Sequence, residues 1–106
     1  MAIEKRRTDL FEINIPVTVA QMPNGTQLHI SNISTNGLFI STTSPFEVNR
    51  EIDCSFSVPK SRKTIQVKGR VAWSRNSGAN PGMGVEFIDL NEKQFDTILK
   101  FLESIY

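Results

Sequence analysis

Cysteine, histidine, tryptophan and tyrosine each occur once in the 106 residues, as Cys54, His29, Trp73 and Tyr106. A lone cysteine excludes an intramolecular disulfide, and one thiol with one imidazole is too small a ligand set for a structural zinc site. No run of about 18 apolar residues exists to form a membrane-spanning helix. No apolar segment follows the basic start, as a secretory signal requires. The expected compartment is therefore the cytoplasm, without direct membrane insertion. A net charge of +1 provides no single-signed field. The basic residues form no long stripe and the aromatics fall mostly at strand positions, so no nucleic-acid partner is expected. Also missing are a glycine-rich phosphate loop leading into a helix, an HExxH pair and paired cysteines. His29 lies between Leu28 and Ile30 in an alternating stretch and so faces away from them, with no nucleophile motif beside it. This argues against an enzyme, and no cofactor is implied.

What is present is an ordinary globular composition, 39% apolar and 22% charged, far from the disordered class. The length suits one domain with a hydrophobic core of its own. From Phe11 to Ile88 the pattern is β. Ile13, Ile15, Val17 and Val19 alternate with polar residues or Pro16. Pro16 lacks a backbone donor, which predicts an edge strand or a break there. Asn24-Gly25 marks a turn. Further strands are read at Leu28 to Ile33, from Leu38-Phe39-Ile40, at Ile52 to Val58, at Ile65 to Trp73, and at Gly84 to Ile88 after the turn-rich stretch 76–82. Six short strands predict an antiparallel barrel or sandwich, and a barrel removes the edges of so small a sheet. Alternation is read as placing Cys54 on a polar face or at an edge, as a strand filler without reactivity. Trp73 is read on one face with Val67 and Val71, hence in the core in preference to a ligand platform.

The period then changes. From Asn91, apolar residues at Phe95, Ile98, Leu99, Leu102 and Ile105 share one helical face, predicting an amphipathic helix over about 91–105. Asn91 and Gln94 stand at the two positions of a capping box, and Leu90 and Phe95 at those of a hydrophobic staple. So short a helix needs a surface to pack on, and its own barrel is the expected one.

Two features bear on binding. Lys5-Arg6-Arg7 precedes the first strand. As a solvated terminus it needs no function, but guanidinium forks grip phosphates and their planes stack on purines. The second is Asn32-Ile33-Ser34-Thr35-Asn36-Gly37. As a hairpin it is explained by Asn36-Gly37, a pair that tolerates positive φ. It also offers an amide at Asn32 and a hydroxyl at Ser34, with Gly37 allowing close backbone approach.

In this order the two resemble the signature of the PilZ domain family, whose known members are cyclic di-GMP receptors. The resemblance runs from Glu4-Lys5-Arg6-Arg7 ahead of Ile15-Pro16-Val17, through the family's [Asp/Asn]-x-Ser-x-x-Gly motif as Asn32, Ser34 and Gly37. It continues with Gly69-Arg70-Val71-Ala72-Trp73 and Gly82-Met83-Gly84-Val85-Glu86-Phe87 and ends in the amphipathic helix. It implies a six-stranded antiparallel barrel with a C-terminal α-helix, over residues 11–106, behind a mobile basic segment of residues 1–10. It also implies a cyclic di-GMP site formed by Arg6, Arg7, Asn32, Ser34 and Gly37, with Lys5 auxiliary. Such a receptor relays second-messenger level to a protein partner in motility, attachment or exopolysaccharide control. One departure stands out. The family's Arg-x-x-x-Arg motif aligns its first arginine with Arg6 and its second with Leu10. Loss of one charged donor costs about 1.5–3 kcal/mol of binding, one to two decades of affinity. The alternative implied by Leu10 is a degenerate PilZ domain that binds no nucleotide and acts as a protein–protein interaction module.

Overall fold

Alternating side chains dictate the barrel. The computed structural model describes residues 11–23, 26, 28–57 and 63–104. Six strands are formed: β1 (Phe11–Val19), β2 (Leu28–Ile33), β3 (Gly37–Ser41), β4 (Glu51–Ser57), β5 (Thr64–Arg75) and β6 (Gly82–Ile88). They close in the order β1-β2-β3-β6-β5-β4, and every described pairing is antiparallel. Inward-facing residues recur at every second position: Ile15, Val17 and Val19 on β1, Ile52, Cys54 and Phe56 on β4, Ile65 and Val67 on β5. Ile30, Ile33, Ile40, Val71 and Met83 are wholly inaccessible to solvent.

Two expectations are corrected here. Pro16 does not make β1 an edge. The strand is paired on both sides, with β4 bonding only from Val17 onward, beyond the proline that has no N–H to give. Cys54 is not on a polar face: it shares the inner face with Ile52 and Phe56, and the alternation that puts those two inside puts Cys54 between them. Burial, assisted by the charge of neighbouring Asp53, pushes its thiol up to about 12. With the thiolate so disfavoured, Cys54 is a small hydrophobe of the core. His29 is exposed, as read from its alternation.

The single described helix, α1 (Glu92–Ser104), follows Asn91. Both arms of the capping box are made: Asn91 Oδ1 accepts from the Gln94 amide at 2.7 Å, and Gln94 Oε1 accepts from the Asn91 amide at 2.9 Å. The helix packs on β5, where the Gln94 side chain donates to the carbonyl of Gln66. Ile98, Phe101 and Leu102 enter the core of the barrel. The apolar stripe is thus rotated from the expected one. Phe101 is in it, Leu99 is half-buried, Phe95 is left exposed, and Ile105 lies outside the described residues.

Candidate functional site

The turn between β2 and β3 carries the Asn-x-Ser-x-x-Gly motif, and its chemistry is first of all local. Ser34 is 3% exposed. Its amide donates to the carbonyl of Gly37 at 2.8 Å, and its hydroxyl oxygen accepts from the Asn36 amide at 3.1 Å. This is a serine turn, held from within by the side chain. The Asn36 carbonyl in turn accepts from Phe87 of β6 at 2.9 Å. Gly37 does not supply the positive φ expected of it, and neither does Asn36. Gly37 is paired with Glu86, and a Cβ there would overlap the carbonyl oxygen of Val85. Its requirement is close approach of β3 to β6. Ser34→Ala would leave the Asn36 N–H without its acceptor. The expected cost is about 1–2 kcal/mol, read as a lower urea midpoint with an unchanged slope. An unchanged midpoint would show that the hydroxyl does not hold the turn.

Asn32 and Trp73 face outward for one shared reason, a register shift. Between Ile30 and Asn32 the β2–β3 ladder slips by one residue, and between Val71 and Trp73 the β5–β6 ladder does the same. A one-residue slip moves the following side chain to the opposite face. Trp73 is therefore not in the core with Val67 and Val71, as expected from alternation, but 44% exposed. The second slip is held from the side: the Asn49 amide donates to Val71 O at 2.8 Å, and the Val71 amide donates to Arg50 O at 2.9 Å. Asn49 adopts φ 78° to do so, a left-handed conformation that asparagine tolerates better than most residues.

The two slips align one row on the outer face. Asn32 pairs with Phe39, Phe39 with Gly84, and Gly84 with Trp73. Three strand spacings of about 4.8 Å separate its ends, roughly 14 Å along the sheet. Gly82 and Gly84 make a trough on β6. A Cβ at Gly82 would meet the Phe39 ring and one at Gly84 the Trp73 indole. The two rings lean in from either side and stack at 5.3 Å between centroids. Sequence reading missed Phe39 and Trp73 as site residues. The legible signal was the pair of glycines two apart on one strand face, which marks something large lying across them.

Around the row is a shallow hollow of about 200 Å³, lined by Ser34, Asn36, Gly37, Phe39, Trp73 and Gly84 among others. This is less than the roughly 300–1,000 Å³ of a pocket that encloses a drug-sized ligand, so a ligand here lies on a surface. Arg70 is balanced by Glu86 at 3.4 Å and Glu51 at 3.9 Å. Arg75 has no carboxylate within ion-pair distance among the described residues; its Nε donates to the carbonyl of Asn80 at 2.9 Å. Lys5, Arg6, Arg7 and Leu10, with the whole segment 1–10, lie outside the described residues. Phe11 pairs with Ile33, next to Ser34. Of the expected site, then, the structure brings Asn32, Ser34 and Gly37 together at one end of the row.

Among the described residues no cluster of His, Cys, Asp and Glu is able to hold a metal ion, and no helix is long and apolar enough to cross a membrane. No curated protein matches the sequence. Among solved structures, the chain superposes on the Bacillus subtilis inhibitor of motility (MotI/DgrA) with a TM-score of 0.75 at 12% identity. The alignment covers 91% of this chain and 48% of that one, so this chain spans about half its length. At that identity the likeness is one of fold. The family model of the PilZ domain matches residues 4–104, nearly the whole sequence, and PilZ domains are receptor modules without catalytic activity. The closed six-stranded antiparallel barrel and its C-terminal helix agree with that match, and the chain belongs to the PilZ domain family.

Proposed function

We propose that this protein is a cyclic di-GMP receptor that relays the level of the second messenger to a protein partner. The observation that carries the reading is the outward row from Asn32 to Trp73, beginning at the family motif and ending in an exposed indole. A dinucleotide needs polar donors for its phosphates and base edges and a flat apolar face for a base. Asn32 offers the first, Trp73 the second. Ser34 and Gly37 serve the site through the turn they shape. Arg6 and Arg7 clamp the ligand's phosphates, with Lys5 auxiliary. The ligand folds the basic segment over the barrel mouth. Its closure over the barrel gives the partner a new surface to recognise. Motility is the first process to examine, since the fold relative described above is named an inhibitor of motility.

Calorimetric titration with cyclic di-GMP at physiological salt tests this, alongside the Arg6→Ala/Arg7→Ala double variant. Low-micromolar or tighter binding that the double variant loses is the expected result. No heat up to about 100 μM ligand, with an unchanged amide NMR spectrum, would sink the receptor reading. A second reading would then stand, the nucleotide-independent interaction module. It is favoured by Ser34 and Gly37 having structural tasks that would keep the motif without any ligand, and by Leu10 in place of the second motif arginine.

A further inference from the structure

The row that ends in Trp73 has a cation beside it that neither the family signature nor the sequence reading singled out. The Arg75 guanidinium carbon lies 5.3 Å from the Trp73 ring centroid and 5.8 Å from that of Phe39, and the two rings are 5.3 Å apart. These three centres form a nearly equilateral triangle. Had Arg75 covered the solvent side of Trp73, with Phe39 stacked on the other side, its distance from Phe39 would be close to twice its distance from Trp73. Arg75 therefore lies over the margin of the stacked pair and not on the side of Trp73 turned away from Phe39, and the indole is 44% exposed.

The guanidinium is also held in place. Its Nε is fixed by the carbonyl of Asn80 at 2.9 Å, in the turn joining β5 to β6. Arg70, the other arginine of β5, is occupied by Glu51 and Glu86. At Arg75 no acid intervenes among the described residues, so its two terminal nitrogens remain as donors beside the part-exposed indole.

We propose that Arg75 reads the edge of a guanine stacked on Trp73 and is the residue that sets the protein's preference for guanine over adenine. The inference rests on the cyclic di-GMP reading above. Guanine presents two acceptors, O6 and N7, that match the parallel donors of a guanidinium. Adenine presents N7 beside an amino group, so one arginine donor would face another donor. A base lying on the indole with that edge toward Arg75 gains the bidentate pair only if it is guanine. The charge so supplied also offsets in part the arginine missing at Leu10.

The protein's single tryptophan makes the test direct, since stacking on Trp73 quenches its fluorescence. Cyclic di-GMP and cyclic di-AMP are titrated into the wild type, Arg75→Gln, Arg75→Lys and, as a control for lost charge, Lys100→Gln on the exposed face of α1. Thermal melts establish that each variant is folded. Wild type and Lys100→Gln are expected to quench with cyclic di-GMP at affinities about 10- to 100-fold above those for cyclic di-AMP. Arg75→Gln should lose most of that ratio through weaker cyclic di-GMP binding. Arg75→Lys should lose it too, because a point charge cannot make the fork. Undiminished discrimination in both Arg75 variants overturns the assignment while leaving the receptor reading intact. Cyclic di-GMP binding without any change in Trp73 emission removes the stacked base and the assignment with it. No binding of either dinucleotide by the wild type is the separate result that brings down the receptor reading itself.

Discussion

Replacing Gly37 by alanine is expected to lower the melting temperature by about 15 °C or more. The added methyl would overlap the carbonyl oxygen of Val85 and press on the Cα of Glu86. These are backbone atoms of the strand that Gly37 is paired with, so no side-chain rotation makes room. Overpacking against movable side chains costs about 1–3 kcal/mol, occasionally more. Against a paired backbone the cost sits at or above the top of that range, because relief means opening the β3–β6 ladder. A domain of this size has about 5–15 kcal/mol in all. Thermal and urea denaturation followed by circular dichroism measures the loss directly. A Gly37→Ala protein melting within a few degrees of wild type would show that β3 and β6 do not approach so closely. The consequence for function is practical. Loss of ligand binding in that variant would report on folding, so the motif glycine is a poor probe of ligand contact, whereas Arg6, Arg7 and Asn32 are informative ones.

The second large effect is expected at Ile98. Its side chain is wholly buried where α1 meets the barrel, and Ile98→Ala should cost about 2–5 kcal/mol through lost burial and the cavity left behind. That corresponds to a fall of roughly 10–20 °C in melting temperature. Phe95, three residues earlier and 42% exposed, is the matched comparison: Phe95→Ser should change stability by no more than about 0.5 kcal/mol. If the two substitutions cost the same, α1 is not docked as described. The distinction matters because a docked helix completes the core, whereas a free one would be an arm for a partner. Ile98, Phe101 and Leu102 in the core cluster commit α1 to its own barrel.

Much of the architecture was legible because it is written in local periods. The two-residue alternation located all six strands, the change of period after Leu90 located the helix, and Asn91 with Gln94 announced a capping box that both hydrogen bonds bear out. Faces were harder to read than elements, because a single residue suffices to invert one. Cys54, expected on a polar face or at an edge, is inside, since it keeps the two-residue alternation with Ile52 and Phe56. The alternation of Val67 and Val71 points Trp73 inward, and the slip of the ladder after Val71 turns it out. Helical spacing gives the buried side of α1 but not its centre, which lies at Ile98, Phe101 and Leu102 and leaves Phe95 exposed.

The candidate site divides in the same way. Asn32, Ser34 and Gly37 were recognisable by spacing, yet their tasks were not. Ser34 proves to hold its own turn and Gly37 to admit a neighbouring strand, which depends on what lies across the sheet. Phe39, Trp73 and Arg75 come from β3 and β5, which are joined into one surface only through β6.

By itself the sequence determined the number and kind of elements and the cap that starts the helix. It also carried the basic cluster and the turn motif that mark the family. These follow from interactions among residues a few positions apart, which alternation, capping and turn chemistry encode directly. Only the tertiary structure decided that β3 closes on β6 and β1 on β4, that Asn49 and Arg50 pin the slipped ladder at Val71, and that Asn32 and Trp73 consequently share an outer row. Those outcomes depend on register between strands distant in the chain. Register is set by the joint packing of the whole core, and a slip of a single residue reverses which side chains meet solvent.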